Sequence, residues 1–353
     1  MKAAILIPTM NRLSFIERLV FYYNSLKSPH PIFIGDASDS DGSDQTRAYL
    51  EKYTDVEVRY FHWEGLDISR TMIRLAEEAA KEYQFCTYSG DDDYFVPSSL
   101  TQCAKFLSDN KDFRTAQGRA AIFTIDGPGD YVDFLDLGQY WGVNSLEQNT
   151  ALERFKDFSK NYFVGQFSMH RTDEFLDDSK LFKEIKDYSL GELLHCFIFA
   201  IKGKSKFLDC LYMVRTNHVD RVHTSGGYVD WTMRPHWSSE CNRVLEELST
   251  ILHGSSDLPL ESSRELVTET LKRMFYKSSI KLVLRDGERS VISRSISCLK
   301  RVLPVGLKNA LRRLQRLIMG EKDMRLLRSK RSLFHEDWLP VQRTLKMPSS
   351  LKH

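Results

Sequence analysis

Residues 3–36, AAILIPTMNRLSFIERLVFYYNSLKSPHPIFIGD, decide how the rest of the chain is read. Ala3–Ile7 is a short apolar run, β-branched in part, and reads as a buried strand. Polar residues follow at once. Leu13, Ile16, Leu19, Val20 and Tyr23 then recur at helical spacing and share one face. Pro31–Asp36 is a second strand, ending on an acid. Strand, helix and strand joined by short connections are the repeating unit of an α/β sheet with largely parallel strands.

The unit repeats outward from there. An acidic loop, DASDSDGSD (36–44), leads into a helix over TRAYLEKY (46–53) and a strand over VEVRYFHW (56–63). A strongly amphipathic helix, ISRTMIRLAEEAAKEY (68–83), precedes a fourth strand, FCTYSG (85–90), which runs into Asp91, Asp92 and Asp93. In such sheets ligands bind beyond the carboxyl ends of the strands. Both acidic loops follow strands on that edge, so they are expected close together. Residues 116–150 are rich in glycine and aromatics and read as a loop or hairpin insertion. LGELLHCFIFAIKG (190–203) reads as a helix closed by Gly203, and KFLDCLYMVR (206–215) as a strand. GSSDLPLESS (254–263) reads as a linker, with a helical, basic region after it. The expected organisation is a domain over 1–253, whose halves divide near residue 110, the 254–263 linker and a C-terminal region over 264–353.

Composition sets outer limits. The chain has 353 residues, 42% of them hydrophobic, enough for one large core or two smaller ones. The formal net charge of +2 hides a segregation of signs: acidic loops in the first half, basic residues over the last sixty. The opening MKAAILIPTM lacks the features of a signal peptide, and no segment approaches the roughly 20 apolar residues that span a bilayer. Cys86, Cys103, Cys196, Cys210, Cys241 and Cys298 are scattered with no CxxC pair, which suits a reducing cytoplasm and not a disulfide framework or zinc ribbon.

The stretch that carries chemistry is YSGDDDYFVP, Tyr88–Pro97. Three adjacent carboxylates repel one another. They are also hard oxygen ligands for Mg²⁺ or Mn²⁺, and such an ion would offset the repulsion and bridge the phosphates of a nucleotide. For the triplet alone, a solvated turn that caps a helix opening near Pro97 is the simpler explanation. Context changes the balance. PTMNR (Pro8–Arg12), DASDSDG (Asp36–Gly42) and DDDYFVP (Asp91–Pro97), in that order, resemble the motifs of family 2 glycosyltransferases of the GT-A fold. The likeness is to a bacterial subgroup with a GDDD form of the Asp-x-Asp motif. It covers residues 1–110 clearly and 160–220 more loosely.

The resemblance implies a Rossmann-like, mostly parallel sheet flanked by helices, with a C-terminal helical extension. It implies transfer of a sugar from a nucleotide-diphosphate donor to a saccharide acceptor, by inversion and with a divalent metal, Mg²⁺ or Mn²⁺. A lipid-linked acceptor in bacterial surface polysaccharide or lipopolysaccharide synthesis is the natural candidate. Pro8, Thr9, Asn11 and Arg12 would border the nucleotide, Asp36 would meet the base, and Asp91 and Asp92 would line the donor site. Asp91 and Asp93 match the Asp-x-Asp pair. The commoner family form sets a diacid directly before the aromatic, so the direct metal ligand is Asp92 or Asp93, with Asp93 preferred. Arg70 stands where the family has an Arg-Asn pair and would contact phosphate or sugar; a solvated helix-end arginine explains it as well. The general base expected at a helix start falls on Glu192, with Asp187 as competitor, although the family's Glu-Asp pair is here Gly191-Glu192. A glutamate in a first helical turn also serves simply to stabilise the helix dipole.

Downstream, MVRTNHVDRVHTSGG gathers Arg215, His218, Arg221 and His223. His218 and His223 are candidate metal ligands by resemblance, while their spacing defines no metal site. Trp231 and Trp237 are either an acceptor-sugar platform or core residues. SRSISCLKRVLPVGLKNALRRLQRLIMG (293–320) sets apolar and basic residues at helical spacing, which suits an anionic membrane surface or a helix packed on the core. The expected place is therefore cytoplasmic, peripheral on the inner face of the plasma membrane. No nucleic-acid-binding module is recognisable. Two other functions stay open: another nucleotide-dependent transferase such as a nucleotidyltransferase, disfavoured because PTMNRLSF has no glycine, and a non-catalytic, membrane-associated assembly partner.

Overall fold

The computed structural model describes residues 1–124, 136–139 by backbone alone, 144–181, 183–218, 232–276, 327 and 329–345. The expectations for Arg221, His223, Trp231 and the basic 293–320 segment lie outside these residues.

The first half follows the alternation closely. Strand β1 (Ala4–Thr9) leads to helix α1 (Leu13–Ser25), β2 (Ile32–Asp36), α2 (Ser40–Leu50), β3 (Val58–His62), α3 (Ile68–Ala80) and β4 (Phe85–Tyr88). Every residue of β1, β2 and β4 is buried, as befits parallel strands covered on both faces. Helix α2 starts six residues before the expected TRAYLEKY stretch, inside the acidic loop. The reason is local: the Asp39 side chain accepts from the Gly42 N–H and Asp41 sits in the positively polarised first turn. Helix α3 is capped likewise, with Asp67 accepting from the Arg70 N–H.

The second half is mixed. Strand β5 (Tyr94–Phe95) runs into α4 (Pro97–Asp109), with Pro97 at the first helical position, where its missing N–H is harmless. Strand β6 (Phe113–Thr124) is long and pairs with β7 (Asp136–Gln139), inside the stretch read as an insertion. Helix α5 (Ala151–Lys160), a short turn (Gly165–Phe167), β8 (Met169–Arg171), α6 (Thr172–Leu181), α7 (Tyr188–Lys202) and β9 (Lys204–Asn217) follow. Helix α8 (Trp237–Gly254) leads, through a short turn where the linker was expected, to a helix α9 over 260–276, and α10 (His335–Leu345) comes last.

The sheet order is β3-β2-β1-β4-β8-β6-β9-β5, with β7 on β6. β3, β2, β1 and β4 are parallel neighbours; β8 enters antiparallel to both β4 and β6, and β6 and β9 are parallel. The order reverses direction at β1, which has β2 on one side and β4 on the other. That is the switch point where open α/β sheets bind ligands. Helix α3 packs on β1 and β2 beside α6, while α1 packs against α2 and against α10. Trp338 of α10 is fully buried and meets Phe123 edge to face. Helix α10 thus belongs to the core.

Candidate functional site

The site is built at the switch point. β1 ends on Pro8 and Thr9, and the chain must turn sharply before α1. Asn11 makes that turn with φ of 54°, a left-handed conformation that asparagine tolerates better than most residues. Its N–H donates to the Ser38 hydroxyl at 2.7 Å, tying the turn to the loop after β2. The turn aims Thr9 and Arg12 at the acidic loop after β4.

The three aspartates have three different surroundings. Asp91 accepts from the Thr9 hydroxyl at 2.7 Å and from Arg12 Nε at 2.9 and 3.0 Å. Asp92 accepts on Oδ2 from the second Arg12 nitrogen at 3.1 Å and pairs with His218 Nε2 at 2.8 Å. Its Oδ1 accepts no hydrogen bond from the described residues. Asp93 points the other way. It is completely buried, its Oδ2 accepts from Arg215 Nε at 2.8 Å, and its Oδ1 accepts from the Thr216 N–H at 3.0 Å. The Thr216 hydroxyl closes on the Asp92 carbonyl at 2.6 Å. Asp93, the expected direct metal ligand, fastens the acidic loop to the end of β9, and each of its oxygens faces a protein donor. Asp91 and Asp92 face the cavity instead.

Phe15 is the floor under this cluster. The Arg12 guanidinium lies 3.9 Å from its ring centroid and the His218 ring stacks on it at 4.9 Å. Burial pushes the Asp91 carboxyl up to about 7, the Asp92 charge adds to this, and Arg12 and Thr9 oppose it. Burial also works against ionisation of Asp92, but His218, Arg12 and Arg215 outweigh it and hold that carboxyl below its ordinary range.

Beside the cluster lies a cavity of about 430 Å³, within the range of small-molecule sites. Pro8, Thr9, Arg12, Asp91 and Asp92 form its charged wall. Leu66, Ile68 and Thr71 at the start of α3 form a second wall, and Tyr88, Phe167 and Tyr188 a third. Phe167 stacks on Tyr88 with ring centroids 5.9 Å apart, and Arg215 lies over its ring at 4.6 Å.

The other expected residues fall elsewhere. Asp36 is buried at the end of β2, where it accepts from the Ser38 N–H at 2.9 Å and the Tyr60 hydroxyl at 2.8 Å. Asn11 and Asp36 shape the loops without lining the cavity, which is reached instead by Met10 and Ala37. Arg70 is 65% exposed and pairs with Asp67 at 3.4 Å, on the outer face of α3. Asp187 caps α7 through the Ser189 and Leu190 N–H groups at 2.9 and 3.1 Å, and its other oxygen pairs with Arg234. Glu192 stands one layer behind the cavity wall. Gln166 Nε2 donates to Glu192 Oε2 at 2.9 Å and to the Tyr188 hydroxyl at 3.0 Å. Trp237 packs edge to face on Phe275 of α9.

Sequence reasoning missed the cavity walls. Thr71 was findable: Thr71, Leu75 and Ala79 form an inward stripe along α3, which Arg70 leaves by a third of a turn. Tyr88, Phe167 and Tyr188 meet only through the sheet, and no local signal announces them.

Among the described residues no three His, Cys, Asp or Glu side chains gather to hold an ion. A Mg²⁺-type site takes one or two carboxylates and is completed by substrate phosphates. Asp91 and Asp92 are hard oxygen donors, and Asp92 Oδ1 has no hydrogen-bond donor among the described residues, so the residues fit such an ion.

No protein-family model matches the chain, and no curated protein matches it by sequence. Solved structures do match. TarS 1–349 of S. aureus in complex with UDP is 15% identical with a TM-score of 0.50, covering 78% of this chain and 72% of that one. TarS 1–349 without that ligand is 15% identical with a TM-score of 0.50, covering 98% and 89%. The mannosyltransferase PcManGT of Pyrobaculum calidifontis, in complex with GDP-Man and Mn²⁺, is 11% identical with a TM-score of 0.41, covering 90% and 88%. The fold is that of the GT-A glycosyltransferases.

Proposed function

We propose that the chain is a glycosyltransferase that moves a sugar from a nucleoside-diphosphate donor to a saccharide acceptor, with inversion. The observation that carries the reading is the meeting of Thr9, Arg12, Asp91, Asp92 and Arg215 around one cavity at the switch point of a GT-A fold. TarS binds UDP in the same fold, which supports UDP as the first nucleotide to test.

The donor's diphosphate would lie along the charged wall, with the nucleoside between Pro8 and the α3 wall. Arg12 and Arg215 supply positive charge where the leaving diphosphate gathers negative charge, in a site walled in part by Tyr88, Phe167 and Tyr188. A divalent ion on Asp91 and Asp92 would neutralise further charge on the leaving group. Asp93 holds Arg215 and the loop in register. In the transfer the acceptor oxygen bonds to the anomeric carbon, the bond from that carbon to the diphosphate oxygen breaks, and the acceptor proton passes to a base. Asp187 is committed to capping and to Arg234, so Glu192 is the proposed base. It needs Gln166 and Tyr188 to shift, because it does not line the cavity in this conformation.

That withdrawal also favours a second reading, a non-catalytic member that binds nucleotide and assembles with others. A thermal-shift panel of nucleotide sugars tests donor binding, since a ligand that binds only the folded state raises Tm. Glu192→Gln then separates the readings. Under the enzyme reading it lowers transfer about 100-fold or more at unchanged donor affinity. A chain that binds donor but transfers to no acceptor, with Glu192→Gln indistinguishable from the parent, is the assembly partner. A lipid-linked acceptor, a surface-polysaccharide pathway and a membrane-surface location remain part of the proposal. No described helix is long and apolar enough to cross a membrane.

A further inference from the structure

The acidic loop already holds a cation of its own. Arg12 Nε sits 2.9 and 3.0 Å from the two oxygens of Asp91, and its second nitrogen sits 3.1 Å from Asp92 Oδ2. The guanidinium is seated on the Phe15 ring, and its side chain is only 13% exposed. A planar fork across two carboxylates is a specific arrangement that a point charge cannot copy. An ion held by both carboxylates must take an Asp91 oxygen, and Arg12 covers both of them; Asp93 is turned away on Arg215 and Thr216.

We propose that Arg12 is an internal latch: it and a divalent ion are alternative counter-charges for the Asp91–Asp92 pair, and each excludes the other. In the metal-free protein Arg12 closes the pair. Loading requires it to release, and its place on the cavity wall then presents the freed guanidinium to the donor's diphosphate. The exchange is a change of partners with no net change in the protein's charge. It predicts weak metal binding without nucleotide, because the ion must displace an arginine fixed by a bidentate contact and an aromatic face. It also predicts that nucleotide and metal bind cooperatively, since a diphosphate gives the released arginine a new partner. Removing Arg12 should uncouple the two. The inference rests on the donor-site reading only for the second half of the exchange.

The test uses Mn²⁺ alone, with the full chain free of nucleotide, read by the loss of the free-ion electron paramagnetic resonance signal. Arg12→Gln should bind Mn²⁺ about tenfold tighter than the parent, and Arg12→Lys should fall between them. Millimolar guanidinium should weaken Mn²⁺ binding to Arg12→Gln and leave the parent unchanged, an effect that a merely structural arginine would not produce. If Arg12→Gln does not fold, Phe15→Leu, which unseats the arginine and keeps its charge, should tighten Mn²⁺ binding instead. Equal or weaker Mn²⁺ binding by whichever of these variants folds, or no binding by any protein, overturns the latch. A separate UDP and GDP titration keeps the two ideas apart. Tightened Mn²⁺ binding with no nucleotide binding leaves the latch and removes the donor site; nucleotide binding without tightening does the reverse.

Discussion

Two charge clusters among the described residues invite comparison, and one of them lines the cavity. At the switch point Asp91, Asp92, Arg12 and His218 face a cavity of about 430 Å³. Under α6 and α7, Asp178 is buried between Arg114 at 2.7 Å and Lys202 at 2.8 Å, with Glu174 beside Arg114 and the stacked rings of His170 and His195 nearby. The chemistry of the two clusters is alike. What differs is what the charges hold: Asp178, 1% exposed, ties β6, α6 and α7 together through Arg114 and Lys202, whose side chains are 16% and 29% exposed. The first holds carboxylates that a ligand can reach. Buried charge alone does not mark a site; charge against space does.

Four substitutions or conditions should pull the clusters apart. The largest effect on stability belongs to Asp178. Asp178→Ala leaves Lys202 without its described partner and Arg114 with Glu174 alone, which should cost about 2–3 kcal/mol and lower Tm by roughly 5 °C, while nucleotide affinity of the folded fraction stays within about twofold. Asp91→Asn should do the opposite. Sugar transfer or donor hydrolysis falls about 100-fold or more, yet Tm holds or rises, because a neutral isostere replaces a carboxylate whose ionisation burial opposes. Equal loss of stability in both variants would erase the distinction.

Acid reads the difference through pH. Burial holds His170 and His195 down to about 3, with His195 adding to the effect on His170, and Arg114 and Lys202 adding to that on His195. Above the unfolded value near 6.5 neither state is charged. Below it only the unfolded chain takes up protons, so stability should fall by about 2 kcal/mol per histidine by pH 5 and level off near 3. Asp91 works in the other sense: its raised value contributes stability that is full below about 4 and is lost as pH rises toward 7. Urea midpoints across this window check both signs. His195→Gln should flatten the acid limb and Asp91→Asn the opposite one. The smallest effect is expected at Arg70, outside both clusters. Arg70→Ala should change stability by about 0.5 kcal/mol or less and transfer less than about threefold, as for an exposed pair.

The same contrast explains what could be read in advance. Strand–helix alternation is local, so β1 to β4 and the edge carrying both acidic loops followed from periodicity. Thr9, Arg12 and Asp91 come together because that edge is fixed by parallel pairing of β1 with β2 and β4. The fates of Asp92 and Asp93 were not legible, since adjacent residues in a turn point different ways. What decides between them is Arg215 and His218, more than 120 residues later, delivered by β9. Arg70 and Thr71 could have been sorted by helical phase alone. Glu192 could not, because Gln166, which binds both it and Tyr188, comes from a turn 22 residues before the helix start.

Calorimetric titration of UDP and GDP, with Mn²⁺ present, into the parent and into Asp91→Asn/Asp92→Asn tests the central claim most directly. The account predicts that one of the two nucleotides binds the parent and that the folded double variant binds it at least about tenfold more weakly. A parent that binds neither nucleotide, or a double variant that binds as tightly as the parent, would contradict it.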